Sequence, residues 1–258
     1  MSRGRNRIAS LLVSTACVLV AQAARAQDET GTTVLPTISV EGSSYETEST
    51  GSYASDLVSV GEKDVLPQRQ IPQSTTVVTR QRLDDGGFTS LDTALRKTPG
   101  MMVLTNDDGR SSLYSRGFEF DTLYFNGLPA PLSSIYGTQP DMAIVDHIEI
   151  LRGPAGLFGG AGEPAGAINM RLKQASDQFM ARITGTGGSW NSWRGEVDVG
   201  GPLNEAGTIR GRIVGALGQK DSFVDVVDNR AAVGYGTLQF DITENTTATV
   251  SVSHQKRD

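Results

Sequence analysis

The sequence predicts an exported chain in two differently patterned parts: a small α+β domain, then about five antiparallel β-strands. Three observations predict this. A basic start and a short apolar run open the chain, helix-like and strand-like stretches mix between residues 71 and 173, and from residue 175 apolar residues recur at every second position with charges between them.

Composition excludes several classes before any motif is read. The 258 residues include 30 glycines, well above the usual ~7%. Charged residues make up 20% and aromatics 6%, so neither a coiled coil nor a disulfide scaffold fits, and nothing is collagen-like. The formal net charge is −6; the first 26 residues hold Arg3, Arg5, Arg7 and Arg25 without an acid, leaving −10 for the remainder. That balance argues against a nucleic-acid partner, because phosphate binding needs a net basic surface.

The arginines precede an uncharged run from Ile8 to Ala21 and the small-x-small triplet Ala24-Arg25-Ala26. This is the pattern of a secretory signal peptide (1–26) with cleavage before Gln27. A run of about 14 residues is too short for a ~30 Å hydrocarbon core. Cys17 lies inside the run, with Ser14 where lipoprotein sites usually carry leucine, so a lipid anchor is disfavoured. If Cys17 leaves with the signal, the mature chain has no thiol for a disulfide or a metal site. No later apolar stretch approaches the length of a membrane helix. Entry into a membrane would require a closed barrel, the other way to satisfy every backbone group in lipid.

Residues 27–70, rich in Ser, Thr, Gly and Glu, read as a flexible arm. Within it stands one apolar-alternating island, Val34 to Gly42, which fits a packed terminal strand or a segment that adds to a partner's sheet edge. A globular composition follows over 71–174. Ser74 to Thr79 reads as a strand; Thr89 to Thr98 reads as a helix with a Thr89 cap, Leu91 and Leu95 on one face and Pro99-Gly100 as its stop. Met101 to Thr105 is a second strand, and Asn126-Gly127 between Leu123–Phe125 and Leu128 signals a type I′ hairpin. Ile148 to Leu151 and Ala167 to Leu172 flank a glycine-rich run.

In the last part (175–258), Trp193, Val197 and Val199 alternate with Arg194, Glu196 and Asp198, while Ile209, Ile213 and Leu217 face away from Arg210 and Arg212. Phe179, Ala181 and Ile183 repeat the theme, as do Leu238 and Phe240, and Thr247 to Ser253 is the last strand. A soluble sandwich also alternates. The connections lean toward a membrane barrel: Asn204 to Gly207 and Glu244 to Thr246 are short turns, whereas Gln219 to Arg230 reads as a longer loop on the other rim.

Enzyme signatures are weak. Gly160-Ala161-Gly162-Glu163-Pro164-Ala165 fits G-x-G-x-x-A formally, but Pro164 and the β-prone Ala167 to Met170 point to a turn between strands rather than the required helix. No G-x-S-x-G occurs. His147, read as a polar residue at a helix end, and His254, in the last strand, are far apart.

Taken together these residues resemble the TonB-dependent outer-membrane receptors, in particular the ferric-siderophore branch. The resemblance rests on the order Ile71-Pro72-Gln73-Ser74, Ala94-Leu95 to Thr98-Pro99-Gly100, Ser115-Arg116-Gly117-Phe118, Phe125-Asn126-Gly127, Ile148 to Pro154, Gly162 to Gly166 and Ile168-Asn169. It implies an α+β plug domain followed by the start of a transmembrane β-barrel that is 22-stranded when complete. It also implies import of an iron chelate as cargo, with no catalytic residues, no protein metal ligands and no resident cofactor. Thr37-Ile38-Ser39-Val40 looks like the TonB box, the segment captured by the energy-transducing partner. The short stretch ahead of it leaves no room for an additional signalling domain, so a transducer-type receptor is disfavoured. Two loops would carry the ligand site: 106–115, with Asp107, Asp108, Arg110 and Tyr114, and 129–139, with Tyr136. Arg110 and Tyr136 fall nearest the family's ligand-touching Arg and Tyr. Arg116-Gly117 and Arg152-Gly153-Pro154 look like structural plug motifs, with the two arginines placed between plug and barrel. The 84 residues from Ala175 hold only about five strands at ~10 residues each, so a fragment or a truncated product is expected. An exported ligand-binding module, or a truncated receptor that does not transport, is the alternative.

Overall fold

The computed structural model describes residues 45–60, 64–107, 109–130, 139–154, 156, 164–221, 228–243 and 245–257. The expected signal peptide and the 37–40 segment lie outside them.

The α+β domain is built on a five-stranded sheet in the order β3-β9-β10-β7-β8. Its strands are β3 (Ser74–Val78), β7 (Leu123–Phe125), β8 (Leu128–Pro129), β9 (Val145–Arg152) and β10 (Gly166–Leu172). β9 pairs antiparallel with both β3 and β10, and β10 runs parallel to β7. The β7–β8 hairpin turns on Asn126 (φ 50°) and Gly127 (φ 80°), as an Asn-Gly pair predicts for a type I′ turn. On one face of the sheet Ile148, Ile150, Ile168 and Met170 pack with Leu83, Leu91, Leu95 and Phe120. This burial of large aliphatic side chains is the main stabilising contribution.

Two short helices cover that face, α1 (Arg80–Asp85) and α2 (Leu91–Arg96). α1 escapes the sequence reading because it buries a single leucine, Leu83, and so has no apolar period. Its start is nonetheless marked by Thr79, whose side chain accepts from Arg82 N. The cap of α2 is Ser90 rather than the expected Thr89. Thr89 is engaged elsewhere, its carbonyl accepting from Met142 N at 3.0 Å.

Residues 106–115 are not the expected loop. β4 (Met101–Asp107) and β5 (Arg110–Ser115) form a hairpin extended by β6 (Phe118–Glu119). Ser111, Ser112 and Leu113 are buried in it, so a polar-looking stretch is held as strand by its partner's backbone.

The flexible-arm expectation also fails for its second half. Residues 45–60 lie across the other face of the main sheet, and β1 (Leu57–Val58) pairs with β2 (Leu66–Pro67). Val58, Val60, Ile71, Val77, Leu151 and Ala167 form a second apolar cluster there. Only two apolar residues of the segment 45–60 enter it; the rest of the docking is polar and involves residues about 100 positions away, which composition does not reveal.

Five strands follow in sequence order, all antiparallel: β11 (Met180–Gly188), β12 (Ser192–Pro202), β13 (Ile209–Asp221), β14 (Asp228–Thr243) and β15 (Thr246–Arg257). Gln219, Lys220 and Asp221, expected in a loop, instead extend β13 and pair with Arg230, Asn229 and Asp228 of β14. The strand alternation is inverted relative to a soluble sheet. Ile183 is 83% exposed, Ile213 71% and Val252 72%, whereas Asp198 and Arg212 are buried against the α+β domain. A wall with its apolar side outward and its charged side inward suits lipid, where an outward Arg or Lys would cost ~2–4 kcal/mol at mid-depth.

Candidate functional site

The wall clasps the α+β domain through apolar and ionic contacts. Val214, Ala216, Val233 and Tyr235, all inward-facing, join the domain's core, and Tyr235 donates to Lys173 O at 2.7 Å. Arg194 donates both terminal nitrogens to Asp141, at 2.6 and 2.9 Å. Arg212 bridges Asp198 on the neighbouring strand and Glu48 of the 45–60 segment, with Lys173 2.7 Å from Asp198. Two cavities remain along this seam. One of about 660 Å³ lies between Ser90 and Asp92 on one side and Trp190, Arg194 and Lys220 on the other. The second, about 530 Å³, is lined by Arg80, Asp84, Arg182 and Glu196 among others.

The expected ligand residues are partly brought together. Asp107 and Arg110 flank the tip of the β4–β5 hairpin, half-exposed and joined by an ion pair, with Arg110 Nε donating to Asp107 Oδ1 at 2.9 Å. The Arg110 hydrogen bond holds the Asp107 carboxyl below its usual range. Gly109, at the tip, faces the side chains of Arg257 and Asn229 on the wall. Tyr114 sits further down β5, its hydroxyl 3.3 Å from Glu119 Oε2. Tyr136 and Asp108 lie outside the described residues, so their position relative to Arg110 is not part of this geometry.

Arg116, Arg152, Gly153 and Pro154 make contacts within the domain, and Gly117 follows Arg116 at φ 86°. Arg152 donates to Pro99 O at 2.6 Å and to Ser74 Oγ at 3.2 Å. Arg116 adopts φ 53° and its guanidinium lies against Gly153. Burial, with Arg116 close by, lowers the Arg152 pKa. Pro154 O accepts from Gln73 Nε2. Both arginines stand at strand ends beside the Pro99-Gly100 turn.

His147 is not at a helix end. It is buried in the centre of β9 between Asp146, to which its Nδ1 bonds, and Glu149, whose Oε1 is 3.5 Å from Nε2. Glu149 is fully buried. Its oxygens accept from Tyr45 Oη at 2.9 Å, Ser59 N at 2.8 Å, Ser59 Oγ at 2.9 Å and Asn169 Nδ2 at 2.7 Å. The sequence signal for this cluster was an acid inside an apolar strand, Ile148-Glu149-Ile150. Among the described residues, no group of three or more His, Cys, Asp or Glu is placed to hold a metal ion. A strand, β10, follows Pro164-Ala165 where a dinucleotide fingerprint needs a helix.

The 45–60 segment and the hairpin tip approach opposite rims of the wall. Glu48 meets Arg212 close to the rim bearing the 203–208 turn, and Gly109 meets Arg257 and Asn229 at the opposite rim, where Asp221 pairs with Asp228. A domain held against a wall whose outward face is apolar, with one element presented at each rim, forms a stopper with two accessible ends.

The comparisons agree with this geometry. The family model described as TonB-dependent Receptor Plug Domain matches residues 67–167. The ferripyoverdine receptor of Pseudomonas aeruginosa is 39% identical over 216 residues, covering 82% of this chain and 26% of that protein. The ferric-pyoverdine BN7/BN8 receptor of Pseudomonas putida is 36% identical over 238 residues, covering 91% of this chain and 29% of its own length. The chain thus spans between a quarter and a third of these relatives. The crystal structure of the outer-membrane ferripyoverdine receptor of Pseudomonas aeruginosa, bound to ferripyoverdine, superposes with a TM-score of 0.78 at 39% identity, covering 82% of this chain and 29% of that one. The alcaligin outer-membrane receptor of Bordetella pertussis gives 0.73 at 37% identity, covering 83% and 37%. The chain belongs to the TonB-dependent receptors, carrying their α+β plug domain and five antiparallel strands of the transmembrane β-barrel around it.

Proposed function

We propose that the protein is an outer-membrane receptor that binds a ferric siderophore and imports it into the periplasm with energy transduced by TonB. The observation that carries this reading is the two-ended plug, with the Arg110 hairpin toward one rim and the 45–60 segment, which leads back to residues 37–40, toward the other. The relatives named for ferric pyoverdine favour a siderophore of that kind as cargo. Iron would arrive already chelated, so the chain would need neither a resident cofactor nor metal ligands of its own. No enzymatic step is part of this reading.

In this reading Arg110, Tyr114, Tyr136 and Asp107 contribute to the ligand site, and Thr37, Ile38, Ser39 and Val40 are offered to TonB by strand addition. Ile38→Pro removes a backbone donor and should abolish uptake of the iron-loaded siderophore while leaving its binding intact. Loss of binding instead would mean that the segment has another role. Arg110→Ala should weaken binding by about tenfold, equivalent to ~1.4 kcal/mol, measured by equilibrium binding of the iron-loaded siderophore. Unchanged affinity would remove Arg110 from the site. A competition panel of ferric pyoverdines, hydroxamates and catecholates then fixes the cargo class.

A further inference from the structure

Asp146, His147 and Glu149 are more elaborately built than a strand in a plug requires. Both carboxylates are spent on the 45–60 segment. Asp146 accepts from the backbone of Thr47 at 2.9 Å and of Glu48 at 2.8 Å. Glu149 accepts from Tyr45 and Ser59, as described. The segment is a strap held mainly by polar contacts, and those contacts converge on one charged row.

We propose that Asp146, His147 and Glu149 form a proton-dependent clamp for residues 45–60, in which the His147 cation lets two buried carboxylates hold the strap. The biological meaning of the clamp rests on the import reading, because the strap lies between the TonB-facing segment and the plug. Its physical operation does not.

The charged and titratable groups around His147 define how the clamp responds to pH. Asp146 and Glu149 flank it on β9, and Arg171 stands opposite it in the register of β10. Tyr45 of the strap meets the imidazole edge-on, ring centroids 5.2 Å apart, and carries Arg171 over its other side at 4.8 Å. Glu46 and Glu48 of the strap approach Asp146, and burial together with those acids raises the Glu46 pKa. Burial raises the Tyr45 pKa, reinforced by Glu149, so its hydroxyl remains a donor.

Burial alone would lower the His147 pKa, but its bond to Asp146 and the nearby Glu149 carboxylate, 3.5 Å from an otherwise unpartnered Nε2, outweigh that and raise it. Burial opposes ionisation of both acids as well, yet His147 and the strap donors hold them below their usual range. The stabilisation that His147 gives is therefore complete below the ordinary histidine value of ~6.5 and fades as pH rises through its elevated value. The acids' contribution is present above their ordinary values and is lost only as pH falls through the lowered ones. Alkalinity should release the strap while the β9–β10 sheet, held by its apolar core, stays closed.

Hydrogen exchange read by mass spectrometry on the protein tests this without TonB or ligand. After correction for base-catalysed exchange, peptides covering 45–60 should lose protection severalfold between pH 6 and pH 9, whereas peptides from β9 and β10 should not. His147→Gln should give fast strap exchange at both pH values. Should that variant also expose β9 and β10, the strap-side changes Tyr45→Phe and Ser59→Ala decide: each should speed exchange of the strap alone. A pH-independent strap, or strap exchange unmoved in both strap-side variants, overturns the clamp. Failure of the Ile38→Pro uptake test with the pH-dependent exchange intact would instead remove the import reading and leave the clamp standing.

Discussion

Gly166→Ala is expected to prevent the plug sheet from closing. Gly166 opens β10 opposite Arg152 and holds φ 125°, a conformation that a side chain resists. A Cβ at this position would stand 1.9 Å from Leu151 O and 3.1 Å from Gly153 O. The first distance is far inside van der Waals contact, and the opposing atoms are backbone of the neighbouring strand β9 and the residue that follows it, so no rotamer change relieves it. Strand β9 would have to separate from β10, opening the cluster around Ile150 and Ile168. The expected loss exceeds the ~4 kcal/mol that marks exceptional substitutions, read as a large fall in the urea midpoint and as protease cleavage within residues 64–173. Gly127→Ala is the control: it too has positive φ, 80°, but nothing lies within 4 Å of its Cβ, so only the ~1–2 kcal/mol of left-handed strain applies. Equal effects for the two variants would show that the close approach at Gly166 is relaxed in solution.

Gly166 also illustrates what the sequence could and could not tell. The run Gly162 to Gly166 was legible as a motif, yet the reason for its last glycine is a carbonyl 15 residues earlier. Period-two alternation made the wall legible because it is a local property of each strand, and Asn126-Gly127 is equally local. The strap was not legible: Thr47 and Ser59 look like surface residues until Asp146 and Glu149 are brought beneath them. His147 was misplaced for the same reason, since a histidine buried in a strand is recognisable only from its two carboxylate neighbours in space. Of the expected ligand residues, Asp107 and Arg110 share a hairpin tip because they flank a tight turn. The relation of Tyr136 to them depends on residues outside those described.

Arg212→Met should loosen the strap, the plug and the wall together, because all five N–H donors of this guanidinium are used. Nε and Nη2 donate to Asp198 at 2.8 and 2.7 Å, Nη1 and Nη2 donate to Glu48 at 2.6 and 2.8 Å, and Nη1 also donates to Gln174 O at 3.0 Å. Arg212 and Asp198 are buried, as is Lys173, which reaches Asp198 at 2.7 Å and Glu48 at 3.5 Å. Two cations and two anions balance. Methionine keeps much of the volume but leaves Lys173 as the nearest partner of two carboxylates and Gln174 O without that donor. Removing one member of a buried ionic group costs about 3–5 kcal/mol, chiefly as the desolvation of the charge left behind. Arg212→Lys should recover only part of this, since an ammonium cannot present two parallel pairs of donors. The charge-balanced variant Arg212→Met with Asp198→Leu separates the two contributions. It should regain stability by removing the stranded carboxylate, yet still show faster exchange at Glu48 because the strap has lost its hold on the wall. If Arg212→Met instead unfolds at the wild-type urea concentration with the strap still protected, the ionic bridge contributes nothing to holding the plug. The joint between plug and barrel must then be sought in the apolar contacts of Val214 and Tyr235.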